Sequence, residues 1–100
     1  MKKNVTEYEF VKAFDDYGRG NNFSRLGRFA LYEYLIDLEE DTGVELELDV
    51  IALCCDFTEY ESLDDCNEQT GYAYRDMDEV AADSLVITDY DGERFIAQDF

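Results

Sequence analysis

The spacing of apolar residues predicts an α+β fold: one small domain over residues 1–100, in which a three-stranded, mainly antiparallel sheet packs with a long central helix and shorter helices in the order ααβααββ. Three observations lead to it. Apolar residues recur at helical spacing between Phe10 and Leu38. The period changes over residues 44–57, first to alternation and then to a continuous apolar run. Finally, two β-rich segments flank Asp91-Gly92, a strong short-range hairpin signal.

Thr6-Glu7-Tyr8-Glu9 has the form of a capping box, and Phe10, Ala13, Phe14 and Tyr17 then mark one buried face of a first helix. Gly18 to Asn22 ends it. A second helix starts at Ser24 as N-cap and runs to about Asp41, with Gly43 beyond its end. Leu31, Tyr34, Leu35 and Leu38 form one apolar arc of that helix, and Phe29, Tyr32 and Ile36 another. Glu33, Asp37 and Glu40 occupy the remaining stripe, so the helix is central with one acidic strip in water.

Glu45, Glu47 and Asp49 alternate with Val44, Leu46 and Leu48, as in a half-exposed strand. The pattern passes into Val50 to Cys55, which suits a strand buried on both faces and the natural centre of the sheet. Ser62 starts a third helix that stops near Gly71, and Asp76-Met77-Asp78-Glu79 opens a short fourth one through Ala82. Leu85 to Thr88 and Arg94 to Ala97 complete the sheet as a hairpin.

Charge dominates the composition, with 26 acidic and 8 basic residues and a formal net charge of -18. Residues 1–28 are mildly basic, holding Lys2, Lys3, Lys12, Arg19, Arg25 and Arg28 against Glu7, Glu9, Asp15 and Asp16. The remaining 72 residues carry 22 acids, offset only by Arg75 and Arg94. Such a charge normally favours disorder, but 46% hydrophobic and 15% aromatic residues with no proline argue for a packed core. No apolar run has the length of a membrane span and the first residues lack the apolar segment of a signal peptide, so the expectation is a protein of the cytosol with no membrane association.

Most enzyme chemistries lack parts here. Histidine is absent, the serines sit at predicted caps or strand starts, and no glycine-rich phosphate loop occurs. Cys54, Cys55 and Cys66 lack the spacing of a disulfide framework or a zinc site and read as small buried hydrophobes. Carboxylates crowd at Asp76, Asp78 and Glu79 and at Asp89, Asp91 and Glu93, but glycine falls fourth after Asp89 rather than sixth, unlike an EF-hand loop. The reading is therefore of a protein without catalytic residues, metal or cofactor.

What remains for the acids is display. Carboxylates four apart on a helix are separated by about 6 Å of rise, and those two apart on a strand by a little under about 7 Å. Duplex DNA carries one charge per roughly 1.7 Å of axis. The rows Glu33/Asp37/Glu40 and Glu45/Glu47/Asp49, the run Asp56, Glu59, Glu61, Asp64, Asp65, Glu68, and the group Asp76, Asp78, Glu79 thus present charge at phosphate-like spacings with almost no interspersed lysine. A basic DNA-binding cleft would meet a substitute for its ligand. Tyr60, Tyr72 and Tyr74, lying among these acids, are candidate aromatic anchors of the same interface.

The stretch Leu48-Asp49-Val50-Ile51-Ala52-Leu53-Cys54-Cys55-Asp56-Phe57-Thr58-Glu59-Tyr60, with Asp41-Thr42-Gly43 before it and Phe95 to Phe100 at the end, resembles a family of short acidic proteins of phages and prophages. In size and charge the chain is also similar to phage counter-defence DNA mimics, among them anti-restriction proteins and CRISPR inhibitors. The resemblance implies a monomer or homodimer in the host bacterial cytosol that blocks a DNA-binding defence protein, a CRISPR effector subunit ahead of a restriction enzyme, by stoichiometric occlusion. It binds no nucleic acid itself. The alternative from a different class is a host-takeover or regulatory adaptor that binds through apolar and tyrosine contacts, its acidity serving solubility.

Overall fold

The computed structural model describes residues 5–98, so Lys2, Lys3, Asp99 and Phe100 lie outside the described residues. The α+β class holds: helices α1 (Glu7–Asp16), α2 (Arg25–Thr42), α3 (Val50–Asp56), α4 (Leu63–Thr70) and α5 (Met77–Asp83) surround strands β1 (Phe57–Tyr60), β2 (Val86–Asp91) and β3 (Arg94–Gln98).

Local signals place most of these elements. The Thr6 hydroxyl accepts from the Glu9 amide at 3.2 Å while the Glu9 carboxylate accepts from the Thr6 amide at 3.3 Å, closing the capping box of α1. Ser24, Ser62 and Asp76 each accept from the backbone amide three residues on, starting α2, α4 and α5. Gly43 and Gly71, with φ of 69° and 80°, end α2 and α4 in the left-handed conformation.

The segment 44–56 departs from expectation. Residues 44–49 keep the alternation of exposed Glu45, Glu47 and Asp49 with half-buried Leu46 and Leu48, but they join no sheet. Val50 to Cys55 is a helix, and the sheet centre lies elsewhere. Asp49 accepts from the Ala52 amide at 3.0 Å and so caps α3. Helical winding then puts Val50, Leu53 and Cys54 inward at i, i+3, i+4 and leaves Ile51, Ala52 and Cys55 exposed. A short apolar run has no period of its own to decide between the two structures. The observed order is therefore αααβααββ.

The sheet has the order β1-β3-β2, antiparallel throughout, with β3 at its centre. Phe57, Thr58, Glu59 and Tyr60 of β1 face Gln98, Ala97, Ile96 and Phe95. Asp91 pairs with Arg94 across a two-residue loop, Gly92-Glu93, in which Gly92 has φ 57°; the turn thus lies one residue beyond the Asp91-Gly92 pair. The ladder of β2 shifts between Ile87 and Asp91, where Asp89 takes φ 65°, a conformation Asp tolerates better than most residues.

Alternation along β3 sorts the core into two layers. Ile96 joins Phe10, Phe14, Phe23, Leu31, Leu35, Val50 and Phe57 on the side of α1, α2 and α3. Phe95 and Ala97 turn the other way, to Tyr60, Cys66 and Val80 under α4 and α5. The central strand is thus covered on both faces, which explains the buried run Phe95-Ile96-Ala97.

The helical register of α3 makes a direct prediction for chemical denaturation. Val50→Ala should cost about 2 kcal/mol, from about 0.8 kcal/mol per buried methylene plus an incompletely collapsed cavity. Ile51→Gln should change stability by no more than about 0.5 kcal/mol. A large loss for Ile51→Gln would restore the doubly buried strand.

Candidate functional site

The acidic surface is built by the helices and by the segment before α3. Of the nominated acids, Glu33, Asp37, Glu40, Glu45, Glu47, Asp49, Asp56, Glu61, Asp64, Glu68, Asp76 and Asp78 are exposed, whereas Glu59, Asp65 and Glu79 are half-buried. Several of these acids also hold the fold. Asp49 and Asp76 cap helices, Asp65 accepts from the Glu61 amide and from Gln69, and Glu79 accepts from the Arg75 amide and pairs with its guanidinium at 3.4 Å.

Glu59 is not a display residue. Its side chain is 6% exposed, on the face of β1 that meets the start of α2. There it accepts from the Ser24 amide at 2.7 Å, the Ser24 hydroxyl at 2.8 Å and the Tyr90 phenol at 2.7 Å, with the Arg94 guanidinium 3.7 Å away. The N-terminus of a helix carries partial positive charge, so the carboxylate lies where an anion is favoured. Gly27 makes the space: a Cβ there would lie 2.1 Å from Glu59 Oε2. Burial of one partner of each of these bonds without the other would leave unsatisfied polar groups, so the cluster forms as a unit.

Tyr60 is likewise not an exposed anchor. It is 6% exposed and packs on Phe95 with ring centroids 5.4 Å apart, because the alternation of β1 turns it to the α4 and α5 side. Tyr72, 50% exposed, has its ring 5.5 Å from that of Tyr74, which is half-buried and packs against the core layer under α4 and α5. The Tyr74 phenol donates to Asp83 at 2.9 Å and its backbone is bracketed by Asn67.

The rows do not converge on one face. On the layer of α2, Glu33 and Asp37 line a groove of about 290 Å³ whose far wall is β2, with Asp89 opposite them. On the other flank of α2, Glu47, Asp49 and Asp56 edge a groove of about 280 Å³ against α3. Asp64 shares a third groove, about 310 Å³, with Glu93 of the hairpin loop, on the layer of α4 and α5. The run from Asp56 to Glu68 is therefore divided between the two layers, with Glu59 inside. A hairpin pattern says nothing about which groove its residues border, so the fold alone adds Asp89 and Glu93 to these grooves.

Two of the basic residues, Arg28 and Arg94, are drawn inward, while Lys12, Arg19, Arg25 and Arg75 are exposed. Arg28 is buried, donating to the carbonyls of Phe23, Val11 and Gly20, lying over the Phe14 ring and pairing with Asp15 at 3.3 Å. Arg94 is held between Glu59 and Asp91, and Arg75 is tied to Glu79.

Hydrogen bonding and burial move several titrating groups. Donation by Gln69, and then by the Glu61 amide, holds Asp65 below the usual carboxylate range, and the Leu46 amide does the same for Glu39. Burial raises the Cys54 and Cys66 thiols, which suits packing rather than reactivity. Desolvation and the bond to Asp83 push the Tyr74 phenol up to about 12. The Tyr90 phenol is raised further, by burial first and then by donation to Glu59. Among the described residues, no group of three Cys, Asp or Glu side chains is disposed to hold a metal ion, and no helix is long and apolar enough to cross a membrane.

Comparison with known proteins leaves this geometry to stand alone: no protein-family model matches the chain, and no curated protein and no solved structure is significantly similar to it.

Two measurements check the site. Gly→Ala inside a helix ordinarily stabilises by about 1 kcal/mol; Gly27→Ala should instead destabilise, and become neutral or favourable in a Glu59→Ala background, with a coupling of about 1–3 kcal/mol in a double-mutant cycle. Near-ultraviolet absorbance should show Tyr74 and Tyr90 ionising late. Because the folded phenol of Tyr74 is raised from about 10 to about 12, its stabilisation is full below pH 10 and is lost as pH rises through 12. Tyr74→Phe and Tyr90→Phe should each remove one late-titrating group.

Proposed function

We propose that the protein inhibits a DNA-binding bacterial defence complex by presenting a carboxylate surface in place of DNA, with a CRISPR effector subunit as the first candidate and a restriction enzyme as the second. The observation that carries this reading is the disposition of charge: exposed acids line the outer rows, while the two cations beyond residue 28 are each paired with carboxylates, Arg94 against buried Glu59 and Arg75 with Glu79 at the surface. An approaching basic cleft meets carboxylates with few cations to repel it, which favours fast, salt-dependent encounter. The α2 layer is the better face. Its stripe Glu33, Asp37 and Glu40 is exposed, and Asp89 stands across the adjoining groove. The action is stoichiometric occlusion, in the host cytosol, without chemistry on the partner.

The test is capture by the tagged protein from a nuclease-treated bacterial lysate that contains CRISPR and restriction complexes, eluted by salt. A DNA-binding subunit should elute at moderate salt and be competed by duplex DNA. Glu33→Lys, Asp37→Lys and Glu40→Lys together should weaken capture at least about ten-fold, or about 1.4 kcal/mol. Asp65 is left intact because it holds the start of α4. Equal capture by the triple variant, or a salt-resistant partner with no DNA-binding role, would overturn the reading in favour of an adaptor.

A further inference from the structure

The groove between α2, the 44–49 segment and α3 differs in kind from the acidic rows. Half-buried Tyr34, Leu38, Leu46 and Leu53 and buried Phe57 line its apolar part, and exposed Glu47, Asp49 and Asp56 stand at its edge. No Lys or Arg lines it. Its volume of about 280 Å³ corresponds to about nine waters at roughly 30 Å³ each, room for one or two bulky side chains. The groove exists because 44–49 passes beside α2 without entering the sheet and α3 presents Ala52 and Leu53 toward it. Ile51, 42% exposed on α3, adds further apolar surface on the same short helix.

We propose that this groove docks a basic amphipathic segment of a protein partner, one bulky aliphatic or aromatic side chain entering the groove and flanking Lys or Arg residues meeting Glu47, Asp49 and Asp56. Charge complementarity selects this occupant. A nucleic acid or an acidic peptide meets like charge at the rim, and a second copy of this chain brings acids of its own. A neutral apolar segment brings no cation to Glu47 and Asp56, nor to Asp49, one of whose oxygens already accepts from the Ala52 amide. Burying one large apolar side chain contributes about 1.5–3 kcal/mol, a gain that diffuse charge attraction lacks. The inference does not rest on DNA mimicry, since Glu47 and Asp56 lie on the opposite flank of α2 from Glu33 and Asp37.

Fluorescence anisotropy with two labelled synthetic peptides tests it: one of lysines with leucines at helical spacing, and one of equal charge with every leucine replaced by serine. The Lys/Leu peptide should bind at least about ten-fold more tightly, as about 1.4 kcal/mol of apolar burial requires. Glu47→Lys with Asp56→Lys should weaken that peptide about ten-fold, while Glu33→Lys with Asp37→Lys, of the same net charge, should leave it within about three-fold. Asp49 is spared because it caps α3. Equal binding of the two peptides, or equal loss in the two double variants, would reduce the effect to long-range attraction and overturn the proposal. Amide chemical shifts of the unaltered protein give a check that needs no variant: the Lys/Leu peptide should move Leu46 and Leu53, and shifts confined to other residues would likewise overturn it. Loss of defence-complex capture in the Glu33 and Asp37 variants with peptide binding intact would separate the two surfaces.

Discussion

The buried carboxylate of Glu59 is the constraint around which the α2 side of the molecule is arranged. One side chain joins the start of α2, the edge strand β1, the bulged strand β2 and the central strand β3, through Ser24, Tyr90 and Arg94. Removing one partner of a buried charged cluster typically costs about 3–5 kcal/mol, because the remaining charge loses its compensation. The arrangement also fixes smaller features nearby. Gly27 has to lack a side chain, and Tyr90 has to reach inward from a strand whose register shifts to deliver it.

Two of the few cations of this acidic chain hold the fold together from inside. Arg28 ties α1, the loop before α2 and α2 itself by donating to the carbonyls of Val11, Gly20 and Phe23. Arg94 sits between two carboxylates on the sheet. These two arginines contribute cohesion inside, and the negative potential outside follows from the excess of acids over bases. The same arrangement makes self-repulsion fall mostly on exposed carboxylates, where water and salt screen it.

The helix α2 separates two surfaces of different character. One flank faces β2 across carboxylates, and the other faces α3 across leucines with a carboxylate edge. Tyr34 lines both grooves and packs edge-on to Phe57 at 6.3 Å, which sets the helix against β1. A partner recognised by charge and a partner recognised by an apolar side chain thus meet different sides of one rigid element.

The residues alone determined the α+β class, the capping box at Thr6, the extent of α2, the C-terminal hairpin and the excess of acids, because each of these signals is complete within a few neighbouring positions. Glycine ends and cap hydroxyls act over three or four residues, and net charge needs no geometry at all. Tertiary structure decided that Val50 to Cys55 winds as a helix, that β3 is the central strand, and that Tyr60 and Glu59 point inward. It also decided that the acidic rows fall on two layers. These outcomes depend on partners distant in the chain: Ser24 is 35 positions from Glu59 and Tyr90 is 31. A glutamate in an acidic sequence reads as solvated until the fold brings three donors and an arginine to it, and only packing does that.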